Sequence, residues 1–188
     1  MAIKIAITGN IASGKSQVEC ILNNLGYKVF DTDKIAHEIL NSSKEVLETF
    51  KAYDILESGE ISRIKLGNIV FNNREMKTKL ENIIHPKVRE RLNEIFTQYK
   101  QEKYIFVAIP LLFEANMQDM FDKSVLVYCN DGIRLKRLMK RNNLTKEQAQ
   151  DRLASQMSQD IKCRLVDYVV KNEATIENLK EQVNLLIM

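Results

Sequence analysis

The chemistry of this chain is concentrated in eight consecutive residues, Gly9-Asn10-Ile11-Ala12-Ser13-Gly14-Lys15-Ser16. Their types and spacing match the phosphate-binding loop G-x-x-x-x-G-K-[ST]. A glycine-rich turn that opens a helix aims backbone N–H groups and the positive end of the helix dipole at an anion. Lys15 adds a point charge for the β- and γ-phosphates of a nucleotide, and the Ser16 hydroxyl is the expected Mg²⁺ ligand. Two carboxylates follow at Asp31 and Asp33, at the expected end of the second strand. Period-two geometry would point both to one side, above the sheet edge where open α/β sheets bind ligands. A carboxylate there can take the proton of an acceptor hydroxyl or hold Mg²⁺ through water. Asp33 is equally suited to capping a helix over residues 34–40. His37 shares a helical face with Asp33, and alone it reads as a structural or surface histidine.

A third cluster of charge lies in Arg134, Lys136, Arg137, Lys140 and Arg141. Arg137 and Arg141 are four apart and share one helix face. An arginine-bearing lid closing over ATP would exclude water and neutralise the transferring phosphoryl group. A solvated helix face is the plainer reading, and a nucleic-acid patch is disfavoured because no aromatic residues are interleaved. The strand ending Val107-Ala108-Ile109-Pro110 carries no carboxylate, so Mg²⁺ support falls to Ser16 and Asp33, a pattern that favours a small-molecule kinase over an ATPase. A guanine-reading N-K-x-D element is missing from the chain, which argues against a GTPase.

Five β-branched or aromatic runs are expected to position these groups: 4–8, 28–32, 104–109, 124–129 and 167–171. Near-continuous apolar strands separated by helical patterns imply a parallel sheet covered on both faces, with right-handed crossovers. The first helix is expected over 16–25, with Val18, Ile21, Leu22 and Leu25 on one face and Gly26 just beyond its end. About seventy residues separate the second and third strands, far more than a crossover needs. There Met76, Leu80, Ile83, Ile84, Val88, Leu92, Ile95, Phe96 and Tyr99 form a helical stripe, with His85-Pro86 marking a restart or kink. Residues 131–159 read as a helical hairpin, turning at Asn142-Asn143 and with a Thr145/Gln148 capping box. The expected architecture is a single three-layer α/β domain with a five-stranded parallel sheet. Its core comprises 1–33, 103–130 and 160–188, with a helical insertion at about 34–102 and a lid at about 131–159.

Composition narrows the class without naming a reaction. The 188 residues suffice for one α/β domain with a sizeable core. Net charge is +3, from 28 basic and 25 acidic side chains, too balanced to argue for nucleic acid. Cys20, Cys129 and Cys163 are odd in number and widely spaced, which suits a reducing compartment and packing roles. The longest apolar run, 104–113, is about half a membrane span, and the start of the chain has no signal-peptide pattern. A cytoplasmic protein without membrane attachment is expected.

Taken in order, these segments resemble the dephospho-CoA kinase family from residue 4 to about residue 183. Thr8 to Ser16 is similar to the family's T-G-G-I-G-S-G-K-S loop, and Asp31-Thr32-Asp33 with His37 to its D-A-D-x-x-x-H element. Gly59, Ile61 and Arg63, then Leu80-Glu81, Ile83 and His85-Pro86, resemble its G-x-[IL]-x-R and L-E-x-I-x-H-P segments. Pro110-Leu111-Leu112-Phe113-Glu114, Arg137, Arg141, Gln156 and Asp167 to Asn172 complete the series. The resemblance implies Mg²⁺-dependent transfer of the ATP γ-phosphoryl to the ribose 3′-hydroxyl of dephospho-CoA, the last step of coenzyme A synthesis. It implies that Lys15, Asp33 and Arg141 act in catalysis, with Asp33 as base or hydroxyl anchor. Gly9 to Ser16 with Arg137 would hold ATP, and Thr8, Asp31, His37, Arg63, His85 and Leu111 would serve the acceptor. The chain departs from the family pattern at Asn10 and Ala12 (glycines there), at Gln17 (a common Thr) and at Arg134 (a usual Gln). Ala12 matters most, because glycine allows close approach or positive φ. The sequence predicts that an alanine follows the usual path with less slack, and that Asn10 can adopt a left-handed conformation. The rival expectations are a kinase of the same fold with another acceptor, and a nucleotide-binding protein without turnover.

Overall fold

The computed structural model describes residues 1–187. Its element order begins with β1 (Ile3–Thr8), α1 (Lys15–Asn24), β2 (Lys28–Asp31), α2 (Thr32–Ser42) and α3 (Lys44–Thr49). A small hairpin, β3 (Leu56–Glu57) and β4 (Glu60–Ile61), precedes α4 (Arg63–Asn72) and α5 (Arg74–Gln98). The chain continues through β5 (Tyr104–Ala108), a 3₁₀ turn (Gln118–Met120), β6 (Lys123–Tyr128), α6 (Asp131–Asn142) and α7 (Lys146–Ala154). It finishes with α8 (Gln159–Leu165), β7 (Tyr168–Lys171) and α9 (Ile176–Leu186). Two compact units result, one made of Met1–Asp31 with Tyr99 onward, the other of Thr32–Gln98.

In the first unit, five strands pair in parallel in the order β2-β5-β1-β6-β7. The expected five-stranded parallel α/β sheet is therefore present. Its centre is apolar on both faces: Ile5, Ala6 and Ile7 of β1, Ile105 to Ala108 of β5 and Val125 to Val127 of β6 are buried. That explains why these strands read as continuous hydrophobic runs, not alternating ones. Val18, Ile21 and Leu22 of α1 and Leu179 and Val183 of α9 close over one cluster of this core. Leu25 departs from expectation: α1 ends at Asn24, and Leu25 is exposed in the turn toward Gly26, whose φ is +87°. β1 lies where the strand order reverses, with β5 on one side and β6 on the other, so the loop after it opens at a topological switch point.

The second unit is helical around α5, against which α2, α3 and α4 pack. α5 runs unbroken from Arg74 to Gln98 through Pro86, so the expected restart at His85-Pro86 does not occur. A proline inside a helix costs about 3 kcal/mol, and a buried stripe of Ile83, Ile84, Val88, Leu92, Ile95 and Phe96 offsets it. α2 begins at Thr32, two residues earlier than expected. Asp33 is thus in the first turn of a helix and is not the residue that caps it. The strand ends at Asp31, so period-two geometry does not carry Asp31 and Asp33 to one face. The β3–β4 hairpin was not foreseen, since two-residue strands leave no periodic signal.

One ion pair between a buried lysine and a partly exposed glutamate fixes the strand-to-turn segment after β5. Lys162 on α8 is fully buried; its Nζ lies 2.9 Å from Glu114 and donates to the Pro110 carbonyl at 3.2 Å. Glu114 also accepts from the Met157 amide at 3.2 Å. Removing the carboxylate would leave the buried ammonium uncompensated. Glu114→Gln, which strands the buried ammonium, is therefore expected to lose about 3 kcal/mol of unfolding free energy in urea titrations, with Lys162→Met/Glu114→Gln recovering part of the loss.

Candidate functional site

The loop between β1 and α1 takes its shape from the residue types the sequence supplies. Gly14 stands at the helix start with φ +96°, and a Cβ there would fall 1.8 Å from Asn172 Nδ2, so only glycine fits. Ala12 has φ +63°. The left-handed strain therefore falls on Ala12, where it costs about 1–2 kcal/mol for a residue with a Cβ. Asn10, expected to tolerate that conformation, does not have positive φ. The Ser13 amide closes the turn onto the Asn10 carbonyl at 3.0 Å.

Four side chains and one main-chain carbonyl from sequence-distant segments hold this loop. Asn10 Nδ2 donates to the Met157 carbonyl at 2.8 Å, and the Ile11 amide donates to Gln156 Oε1 at 2.7 Å. Arg134 Nε donates to the Ile11 carbonyl at 3.0 Å, while its NH1 donates to Asp131 at 2.6 Å. Asn172 Nδ2 donates to the Ser13 carbonyl and to Gln17 Oε1, each at 2.8 Å. Arg137 donates to the Asn172 carbonyl at 3.2 Å, to Cys129 Sγ at 3.4 Å and, more weakly, to the Ser13 carbonyl at 3.5 Å. Burial pushes the Cys129 thiol up, against the lowering effect of Arg137, so it stays protonated and acts as packing. All three cysteines are free thiols.

Lys15 Nζ pairs with Glu19 Oε1 at 2.7 Å, one turn along α1. Ser16 is exposed on the first turn of that helix. Thr8, buried at the end of β1, donates its hydroxyl to the Pro110 carbonyl at 3.2 Å, whereas Leu111 beside it is exposed. Arg141 is exposed near the end of α6, its Nε donating to Asn142 at 2.9 Å. The Asn142-Asn143 turn closes with Asn143 at φ +50°, and Thr145 and Gln148 form the expected capping box. Three helices occupy this stretch, because Gln159, expected to end the hairpin, begins α8.

In the helical unit, Asp33, His37, Arg63 and His85 line one pocket of about 220 Å³, together with Leu40, Leu80, Glu81 and Ile84. His37 and Asp33 do share a face of α2, and His37 Nδ1 is buried without a hydrogen-bond partner. Thr8, Asp31 and Leu111 do not line this pocket. Glu81 belongs to it and was missed; its signal is the i,i+4 spacing to His85 on α5. Arg134, Gln156 and Asn172 were likewise given no role from sequence, although the last two stood in quoted motifs. Among the described residues there is no cluster of three or more His, Cys, Asp or Glu able to cage a metal. A Mg²⁺ ion held mainly by phosphate oxygens and water needs only one hydroxyl from the protein, and Ser16 fits that donor set. No helix of the described residues is long and apolar enough to cross a membrane.

Comparison with known proteins supplies the family. The dephospho-CoA kinase profile matches residues 3–178. The dephospho-CoA kinase of Carboxydothermus hydrogenoformans is 40% identical over 185 residues, covering 95% of this chain and 90% of that protein. A crystal structure from Thermus thermophilus superposes with a TM-score of 0.88 at 32% identity, covering 99% of this chain and 96% of the other. The dephospho-CoA kinase of Campylobacter jejuni superposes with a TM-score of 0.77 at 36% identity, covering 100% and 96%. With its phosphate loop, parallel sheet and full-length similarity in agreement, the chain belongs to the dephospho-CoA kinase family.

Proposed function

We propose that Lys15, Asp33 and Arg141 carry the transfer of the ATP γ-phosphoryl to the ribose 3′-hydroxyl of dephospho-CoA, the reaction of this family. The observation that carries this assignment is the clasped loop Gly9–Ser16 on the carboxyl end of β1. Such a loop presents N–H groups and a helix dipole to phosphates, and phosphoryl transfer needs positioning and charge neutralisation more than covalent help. Gly9 to Ser16 bind the triphosphate, with Arg137 bracing the loop from behind. Lys15 serves the β- and γ-phosphates, which requires its ammonium to be shared with or released from Glu19.

Asp33 takes the proton from the acceptor oxygen, or anchors that hydroxyl, as the oxygen bonds to the γ-phosphorus and the bond to the β–γ bridging oxygen breaks. Arg141 neutralises charge on the transferring group, and residues 131–159 act as its lid. The pocket of Asp33, His37, Arg63 and His85 is proposed for the acceptor, and Thr8, Asp31 and Leu111 are proposed as further acceptor-binding residues. Its mixed charge and apolar wall of Leu40 and Ile84 suit a nucleotide carrying a less polar arm. Mg²⁺ is the proposed metal, held by Ser16; when bound it neutralises phosphate charge. Three unpaired thiols fit the reducing cytoplasm as the place of action.

Turnover should be visible as ADP release with Mg-ATP, stimulated by dephospho-CoA but not by AMP, CMP or simple polyols. A different stimulating acceptor would reassign the pocket, and silence across the panel would make the chain a binding protein. Lys15→Ala is expected to lower kcat by about 10²–10³-fold and Asp33→Asn by about 10²–10⁴-fold, with unfolding midpoints unchanged. Near-wild-type turnover of Asp33→Asn would remove its assignment as base or anchor. EDTA is expected to stop the reaction and excess Mg²⁺ to restore it.

A further inference from the structure

Arg134 is a cation with 2% exposure, placed against a main-chain carbonyl of the phosphate loop. Its guanidinium bonds Ile11 and Asp131, while its NH2 is buried without a partner. Asp131 is itself tied to Gln159 Nε2 at 2.9 Å, so the arginine cannot swing freely. Burying a guanidinium with one N–H₂ group unsatisfied is expensive, and a packing role alone would be served better by an apolar residue.

The peptide it grips explains the expense. Ile11 is held at both ends, its N–H by Gln156 and its C=O by Arg134. No peptide bond among the described residues is cis, and in a planar trans peptide the C=O and N–H point in opposite directions. Fixing the Ile11 carbonyl toward Arg134 therefore fixes the Ala12 N–H on the opposite side of the same peptide. Ala12 then follows at φ +63°, the left-handed step that turns successive N–H groups into a concave anion nest. An alanine resists that step where a glycine would not. A charged donor is a stronger clamp than a neutral one and also polarises the peptide, strengthening the N–H at its other end.

We infer that Arg134 is a positioning residue of the donor site: it holds the Ile11–Ala12 peptide in the strained conformation that Ala12 opposes, and so sets affinity for the nucleotide phosphates. This rests on the reading of Gly9–Ser16 as the ATP loop, and it does not depend on the identity of the acceptor.

The test is a double-mutant cycle read by calorimetric titration of ATP into the full-length protein. Arg134→Gln is expected to raise the ATP Kd about tenfold, whereas in an Ala12→Gly background the same change should raise it no more than about threefold. Arg134→Lys keeps the charge but cannot hold Ile11 and Asp131 in one fork, and should weaken binding by an intermediate factor. It also keeps the test available should Arg134→Gln fail to fold. In turnover assays the same variants should raise KM for ATP while leaving KM for dephospho-CoA within twofold. Equal effects of Arg134→Gln in both backgrounds, or an unchanged Kd, would overturn the inference, leaving a merely structural arginine. Because the cycle reads ATP binding, inactive wild-type protein would count against the proposed reaction and not against the role of Arg134.

Discussion

The donor site depends on keeping a short, partly strained loop in one shape while its own sequence offers few apolar contacts to hold it. Gly9, Asn10 and Ser13 are buried, yet Gly9–Ser16 cannot rely on burial alone, since its function requires backbone N–H groups to face an anion. The structure solves this from behind. Gln156, Met157, Arg134, Arg137 and Asn172 hold the Asn10 side chain and the main-chain groups of Ile11 and Ser13. Most of these bonds are to main-chain groups, so they specify loop geometry regardless of which residues occupy its variable positions. This is preorganisation: the ordering cost is met on folding, before any nucleotide arrives.

The same arrangement gives α6 two functions along one helix. Arg134 and Arg137, three apart, root its first half on the loop. Arg141, one turn further, is exposed and bonded only locally, to Asn142. A helix fixed at one end and bearing a free-standing arginine near the other is suited to act as the stem of a lid. Any closing motion that leaves the donor loop undisturbed would be confined to α7 and the turn before it, because the turn after α7 carries Gln156 and Met157, which hold the loop.

Much of this was legible in the sequence, for identifiable reasons. The five strands were readable because a parallel sheet covered on both faces demands continuous apolar runs, and the phosphate loop because glycines and lysine are constrained by chemistry at fixed spacing. The misses were local competitions and long-range contacts. Leu25 fits the stripe of α1, yet the helix stops before it. Pro86 carries a breaker's signal that a six-residue buried stripe overrides. Thr32 opens α2 where strand periodicity was still being counted. The clasp was invisible, because Arg134, Gln156 and Asn172 stand 123, 145 and 159 positions from the loop residues they hold. Nothing in their neighbours announces a bond to a distant carbonyl or amide. Ala12 was visible as an anomaly, but its left-handed conformation became evident only with the backbone.

Everything the clasp holds in place serves one transfer, of a γ-phosphoryl group to one hydroxyl of one acceptor. The most direct measurement is ³¹P NMR of the product formed from Mg-ATP and dephospho-CoA. ADP together with one new phosphate monoester on the ribose 3′-oxygen is expected. Inorganic phosphate with unchanged dephospho-CoA, or a monoester at another hydroxyl, would contradict it.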